Sequence, residues 1–184
     1  DDHLVRLWNI DEDRPLHVLR GHSDWVRCVA FSPGGQVFAT AGNDRHILFW
    51  DVRSGQRLRV LAEHQHAITS IAYSPDGRLL AAAGFEASLR IYDATTGQLV
   101  KTLACPCVDM RAVAFSPDGK LLAGGGRNGR IRWWRHEDGQ LLHDVKAHRQ
   151  RIRALAFSSD GAQIVSAGED RWIRVWDTAT GQEI

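Results

Sequence analysis

The sequence predicts an all-β protein made of repeated four-stranded antiparallel sheets that stack face against face. Three observations carry this. Trp8, Trp50, Tyr92, Trp134 and Trp176 recur at a constant step of 42 residues, with no insertion or deletion between them. Such a period marks a repeat architecture. Turn sequences keep the same step: Ser32–Gly35, Ser74–Gly77, Ser116–Gly119 and Ser158–Gly161, and the pairs Gly55-Gln56, Gly97-Gln98, Gly139-Gln140 and Gly181-Gln182. Between the turns lie runs of strand length, and no helical period is present.

The elements follow in order. Residues 1–20 hold the last two strands of a partial repeat, near Leu4–Trp8 and Leu16–Leu19. Residues 21–62, 63–104, 105–146 and 147–184 are successive repeats of a single domain, the last truncated. Each repeat opens with an apolar run: Val26–Phe31, Ile68–Tyr73, Met110–Phe115 and Ile152–Phe157. Pro presets φ and Gly takes positive φ in the tight turn that follows. The second runs, Val37–Ala41, Leu79–Ala83, Leu121–Gly125 and Ile164–Ala167, are rich in small residues that let neighbouring sheets approach. The third runs end on the recurring aromatic: Ile47–Trp50, Leu89–Tyr92, Ile131–Trp134 and Ile173–Trp176. The residue before it is always apolar (Leu7, Phe49, Ile91, Trp133, Val175), so the two side chains face opposite neighbouring sheets and Trp133 reads as core. A more polar fourth run follows, as in Leu58–Leu61 and Leu99–Leu103. Gly124–Gly126 reads as a tight turn at a strand end.

Composition excludes several function classes. The formal net charge is +1, which announces no nucleic-acid or membrane partner, and no apolar run reaches membrane-spanning length. Three cysteines, Cys28, Cys105 and Cys107, do not make a disulfide framework and point to a reducing, cytoplasmic setting. Cys105 and Cys107 flank Pro106 without a second pair to complete a zinc site, and His64 and His66 alone do not make one; no metal or cofactor is expected. No Gly-rich loop leads from a strand into a helix, and without insertions no extra loop carries an active site.

The Gly21-His22 pair, the Trp50-Asp51 and Trp176-Asp177 pairs, and an Asp six residues before the Trp resemble the WD-repeat β-propeller family, in its regular, insertion-free, bacterial-type form. The resemblance spans essentially the whole chain. It implies blades of four antiparallel strands, about four to five of them, in an incomplete or open propeller. It also implies a hydrogen-bonded brace of His, Ser or Thr, Asp and Trp in each repeat. His22, Thr40, Asp44 and Trp50 supply it in full, as do His148, Ser166, Asp170 and Trp176. The second repeat keeps His64 beside Ala82, Glu86 and Tyr92 and reads as partial; the third has Pro106, Gly124 and Asn128 and keeps Trp134 alone. These residues are not a catalytic triad, because a hydroxyl locked between an imidazole and an indole is unavailable to a substrate. Without its brace, the third-repeat loop Ala104–Asp109 is expected to be the most mobile or most specialised part.

By the same resemblance, partners dock on the face around the His and Asp loops. That face maps to Trp25, Arg27, Asn43, Ala67, Thr69, Phe85, Asp109, Arg111, Arg127, Arg151, Arg153, Glu169 and Asp1. Arg and Trp dominate interface energetics, and Arg binds carboxylates and phosphates in a bidentate way. The expected function is a non-catalytic scaffold for acidic or phosphorylated protein segments. The alternatives are a nucleic-acid binder using the same arginines, and the regulatory arm of a larger signalling enzyme. An open array further expects either more blades from a longer chain or a homo-oligomer to close the ring.

Overall fold

The computed structural model describes residues 2–105 and 109–184. Among them are seventeen strands and no helix, so no helix is long and apolar enough to cross a membrane. Five antiparallel sheets follow one another. The first holds β1 (Val5–Trp8) and β2 (Pro15–Leu19). The second holds β3 (Val26–Phe31), β4 (Val37–Gly42), β5 (Ile47–Asp51) and β6 (Arg57–Leu61). The third holds β7 (Ile68–Tyr73), β8 (Leu79–Gly84), β9 (Ser88–Asp93) and β10 (Leu99–Ala104). The fourth holds β11 (Met110–Phe115), β12 (Leu121–Gly126), β13 (Arg130–Arg135) and β14 (Gln140–Lys146). The fifth holds β15 (Ile152–Phe157), β16 (Gln163–Gly168) and β17 (Ile173–Asp177).

Each sheet is a meander closed by the expected turns. Gly77 takes φ +73 and donates its amide to Ser74 O at 2.9 Å. The Ser74 hydroxyl in turn bonds the Asp76 carboxylate at 2.6 Å. The sheets stack through four cores. Leu19, Phe38, Leu48 and Trp50 join the first sheet to the second. Phe49, Ile71, Leu80 and Tyr92 join the second to the third. Leu89, Met110, Leu122 and Trp134 join the third to the fourth, and Ile131, Trp133, Ile164 and Trp176 join the fourth to the fifth. Phe49 and Trp50 therefore point into different cores, as do Trp133 and Trp134, which is the period-2 alternation of a strand buried on both faces.

The array does not close. Trp8 is 52% exposed, whereas Trp50, Tyr92, Trp134 and Trp176 are buried at the same slot. Ile173 is 71% exposed, whereas Ile47, Leu89 and Ile131 are buried. Apolar side chains at both ends thus lack the neighbouring sheet that covers their counterparts.

One expectation is corrected. Gly124–Gly126 is not a turn but the end of strand β12. A Cβ at Gly124 would lie 2.2 Å from Met110 Cε, and one at Gly126 would lie 2.1 Å from Asp109 O. Glycine is there because neighbouring atoms fill the space a side chain would need.

Candidate partner-binding face

The first strand of each of the last four sheets begins with a register shift. It falls between Val26 and Cys28, Ile68 and Ser70, Met110 and Ala112, and Ile152 and Ala154. The residues left unpaired are Arg27, Thr69, Arg111 and Arg153. A bulge re-aims the side chain it releases, and these four are all positions mapped to the binding face. Their surroundings divide that face into two patches.

On the second sheet, Trp25 is 44% exposed and the Arg27 guanidinium lies 4.8 Å from its ring centroid. Arg27 Nε donates to Asn43 Oδ1 at 2.8 Å, and the Asn43 amide donates to Trp25 O at 2.9 Å. Arg27 has no carboxylate in ion-pair range among the described residues. The second patch spans the third to fifth sheets as one network. Arg111 sits 4.7 Å from the Phe85 ring centroid and pairs with Asp109, its Nη2 donating to Oδ2 at 3.1 Å and its Nε in ion-pair contact with Oδ1. Arg151 Nε lies 3.9 Å from Asp109 Oδ2 and its Nη1 lies 3.8 Å from Glu169. Arg153 pairs with the same Glu169. Asp109 is buried, and the charge of these three arginines is offset in part by two of the protein's own carboxylates. Arg127 is exposed beside them. Thr69 turns inward and donates its hydroxyl to Met110 O, so it ties the third sheet to the fourth. Asp1 and residues 106–108, the centre of the loop expected to be most mobile, lie outside the described residues.

Both full sets of brace residues are brought together. His22 Nδ1 lies 2.7 Å from Asp44, His22 Nε2 lies 2.8 Å from Thr40 Oγ1, and Trp50 Nε1 donates to Thr40 Oγ1 at 2.8 Å. A carboxylate only accepts, so Nδ1 carries the proton and the hydroxyl donates to Nε2. His148 makes the same contacts to Asp170 at 2.9 Å and Ser166 at 2.8 Å, and Trp176 donates to Ser166 at 3.0 Å. Burial alone would raise Asp170; the Arg149 amide and the His148 ring hold it at about 2. Burial likewise opposes ionisation of Asp44, and the His22 ring with the His46 and Ser23 amides holds it below the usual carboxylate range. Each Asp thereby ties two loops together at the face.

The second repeat is not merely partial. Tyr92 Oη lies 3.0 Å from His64 Nε2, and His64 Nδ1 lies 3.3 Å from Glu86. The phenol reaches where the missing Thr hydroxyl would stand, and the longer Glu replaces Asp. Glu86 also accepts the Gln65 amide at 2.8 Å and pairs with Arg90 at 2.9 Å. In the third repeat Met110 fills the hydroxyl slot above Gly124, and Arg132, two residues before Trp134, is buried against Asp144 at 3.0 Å.

Sequence reasoning missed a further period-42 set: His17, Arg59, Lys101 and His143. Each reaches from one outer strand to a turn carbonyl of the next sheet: Arg53 O at 3.0 Å, Ala94 O at 3.2 Å, Glu137 O, and Ala179 O at 3.1 Å. Gly55 and Gly181 make room, since a Cβ there would lie 2.8 Å and 2.6 Å from the His17 and His143 rings. The spacing was visible, but the mixed residue types hid it. Trp172 was also missed; it is 63% exposed, next to brace residue Asp170.

Among the described residues no group of His, Cys, Asp and Glu could hold a metal ion. Burial pushes the Cys28 thiol up to about 12, which keeps it unreactive. Cys105 is buried, and Arg132 Nη1 donates to its Sγ at 3.4 Å.

The family described as WD domain, G-beta repeat, matches residues 13–51, 55–93, 97–135 and 139–177. Ribosome assembly protein 4 of Saccharomyces cerevisiae is 49% identical over 39 residues, 21% of this chain and 8% of that protein. The SEC13 homolog of Drosophila melanogaster is 45% identical over 53 residues, 26% of this chain and 15% of that protein. Apoptotic protease-activating factor 1 of Mus musculus is 47% identical over 45 residues, 24% of this chain and 4% of that protein. The chain thus spans a small part of the length of each relative. With four consecutive repeat matches covering most of its residues, on stacked four-stranded sheets, the chain belongs to the WD-repeat β-propeller family.

Proposed function

We propose that this chain is a non-catalytic scaffold that docks an acidic or phosphorylated protein segment on the face bearing Trp25 and Arg27. The observation that carries this is the first patch. An exposed indole with a guanidinium across it, held by Asn43 and backed by a braced sheet, offers a rigid apolar contact beside a cation without a carboxylate partner among the described residues. Its rigidity follows from the brace, since Asp44 accepts both the Ser23 and His46 amides at its edge. Relatives named for ribosome assembly and for protease activation suit a role in assemblies. The uncovered end faces fit further sheets of the same kind, from a longer chain or from a second copy.

The test is a binding screen against acidic and phosphorylated peptides with a generic RNA as competitor. Binding that survives excess RNA and drops at least tenfold in Trp25→Ala supports the proposal. Displacement of every peptide by RNA would replace it with a nucleic-acid function.

A further inference from the structure

We infer that Arg111 and Arg151 form an oxyanion cradle now occupied by the chain's own Asp109, and that a phosphorylated serine or threonine of a protein partner takes the cradle by displacing that carboxylate. This rests on the scaffold reading above and names the regulation of its second patch.

Two guanidinium groups from adjacent sheets converge on a single carboxylate. Arg111 donates one hydrogen bond, Nη2 to Oδ2 at 3.1 Å, while its Nε and Oδ1 are in ion-pair contact but make no hydrogen bond among the described residues; Arg151 stands 3.9 Å from the same Oδ2. The Phe85 ring, 4.7 Å from the Arg111 guanidinium, supports its plane. This is the arrangement that recognises carboxylate and phosphoryl oxygens. Asp109 fills it in an unfavourable backbone state, φ +73, which a non-glycine residue adopts only at a cost. The equivalent residues Trp25, Ala67 and Arg151 do not share that conformation. No brace holds the Asp109 side chain: it sits in the one complete repeat that lacks the His and Ser or Thr of the network, so its hold on the face comes from the arginines. A phosphoryl group brings more charge and three acceptor oxygens to the same guanidinium groups, including the Arg111 Nε that has no hydrogen-bond acceptor among the described residues. Glu169 forms a second, outer clasp, lying 3.8 Å from Arg151 and pairing with Arg153, so the two carboxylates offset part of the arginine charge at rest and the patch becomes more strongly cationic where a carboxylate is displaced.

Asp109→Asn is the informative variant. It removes the charge, preserves volume, and Asn tolerates left-handed backbone. The probes are a fluorescent phosphoserine peptide, its unphosphorylated and glutamate versions, and inorganic phosphate at matched ionic strength. D109N should bind the phosphoserine peptide at least tenfold more tightly than wild type, with no gain for the unphosphorylated peptide. Adding Arg151→Ala should abolish the gain. Equal affinity in wild type and a folded D109N overturns the cradle. A gain for inorganic phosphate without one for the peptide overturns the assignment to a protein partner. If D109N does not fold, Asp109→Gly, which relieves the backbone, is scored the same way. Trp25→Ala separates the two proposals. Loss of partner binding with the D109N gain intact leaves both standing, and unchanged partner binding sinks the first patch alone.

Discussion

The second and third repeats lost the same hydroxyl and were repaired in opposite ways. Ala82 and Gly124 occupy the slot that Thr40 and Ser166 fill elsewhere. In the second repeat the aromatic itself changed: Tyr92 brings a hydroxyl to His64, and Glu86 extends to the other imidazole nitrogen. In the third repeat the polar route is gone, and Met110 packs over Gly124 while Arg132 is neutralised by Asp144. A buried brace can be rebuilt as a shorter polar relay or replaced by apolar volume. What it cannot be is half kept, because an orphaned buried imidazole costs about 1–3 kcal/mol.

The largest effect is expected at Met110. Met110→Ala should destabilise the protein by about 2–5 kcal/mol in urea unfolding, the range for emptying a fully buried side chain. A loss below about 1 kcal/mol would mean that Met110 does not fill the slot. The polar solution should instead be sensitive to acid. Burial lowers His64 from 6.5 to about 4, against the raising effect of Glu86. Between those two values the unfolded chain binds a proton that the folded chain refuses. The stabilisation is therefore intact above pH 6.5 and lost as pH falls towards 4, by about 1–3 kcal/mol. Glu86, also held low despite its burial, acts in the same direction further into acid. Unfolding at pH 7 and pH 4.5 in wild type and His64→Ala tests this; the variant should show the smaller loss across that window.

Tyr92→Phe should cost about 1–3 kcal/mol by leaving His64 Nε2 without its donor. The smallest effect is the control within the same sheet. Tyr73 stands where the other repeats carry Phe31, Phe115 and Phe157, and its buried hydroxyl has no hydrogen-bond partner among the described residues. Tyr73→Phe should be neutral or stabilise by up to about 1 kcal/mol. If both Tyr→Phe changes cost the same, the phenol of Tyr92 is not acting through His64.

Much of this was legible before any coordinates. The strands, the turns and the two full braces depend on residues that recur at one spacing, and neighbouring repeats supply the same answer at each slot. The donor set His17, Arg59, Lys101 and His143 has that spacing too, but it is recognisable only when three different kinds of side chain are seen to reach the same kind of carbonyl. The positions mapped by the resemblance were legible as a set, but their state was not. Arg111, Arg151 and Arg153 read as part of an Arg-rich face, whereas Asp109 pairs with Arg111 and reaches Arg151 of the next sheet, and Glu169 meets Arg151 and Arg153.

The sequence by itself determined the architecture: period, strand alternation and turn chemistry are local, and local rules repeated in phase leave one way to stack the sheets. Only the tertiary structure decided which polar groups are spent. Whether Tyr92 can replace a threonine hydroxyl, whether Met110 can fill a brace, and whether an arginine is free or already paired all depend on side chains from different strands arriving within a few ångströms of one another. Charge and hydrogen-bond energy depend steeply on that distance, and residue spacing along the chain does not fix it.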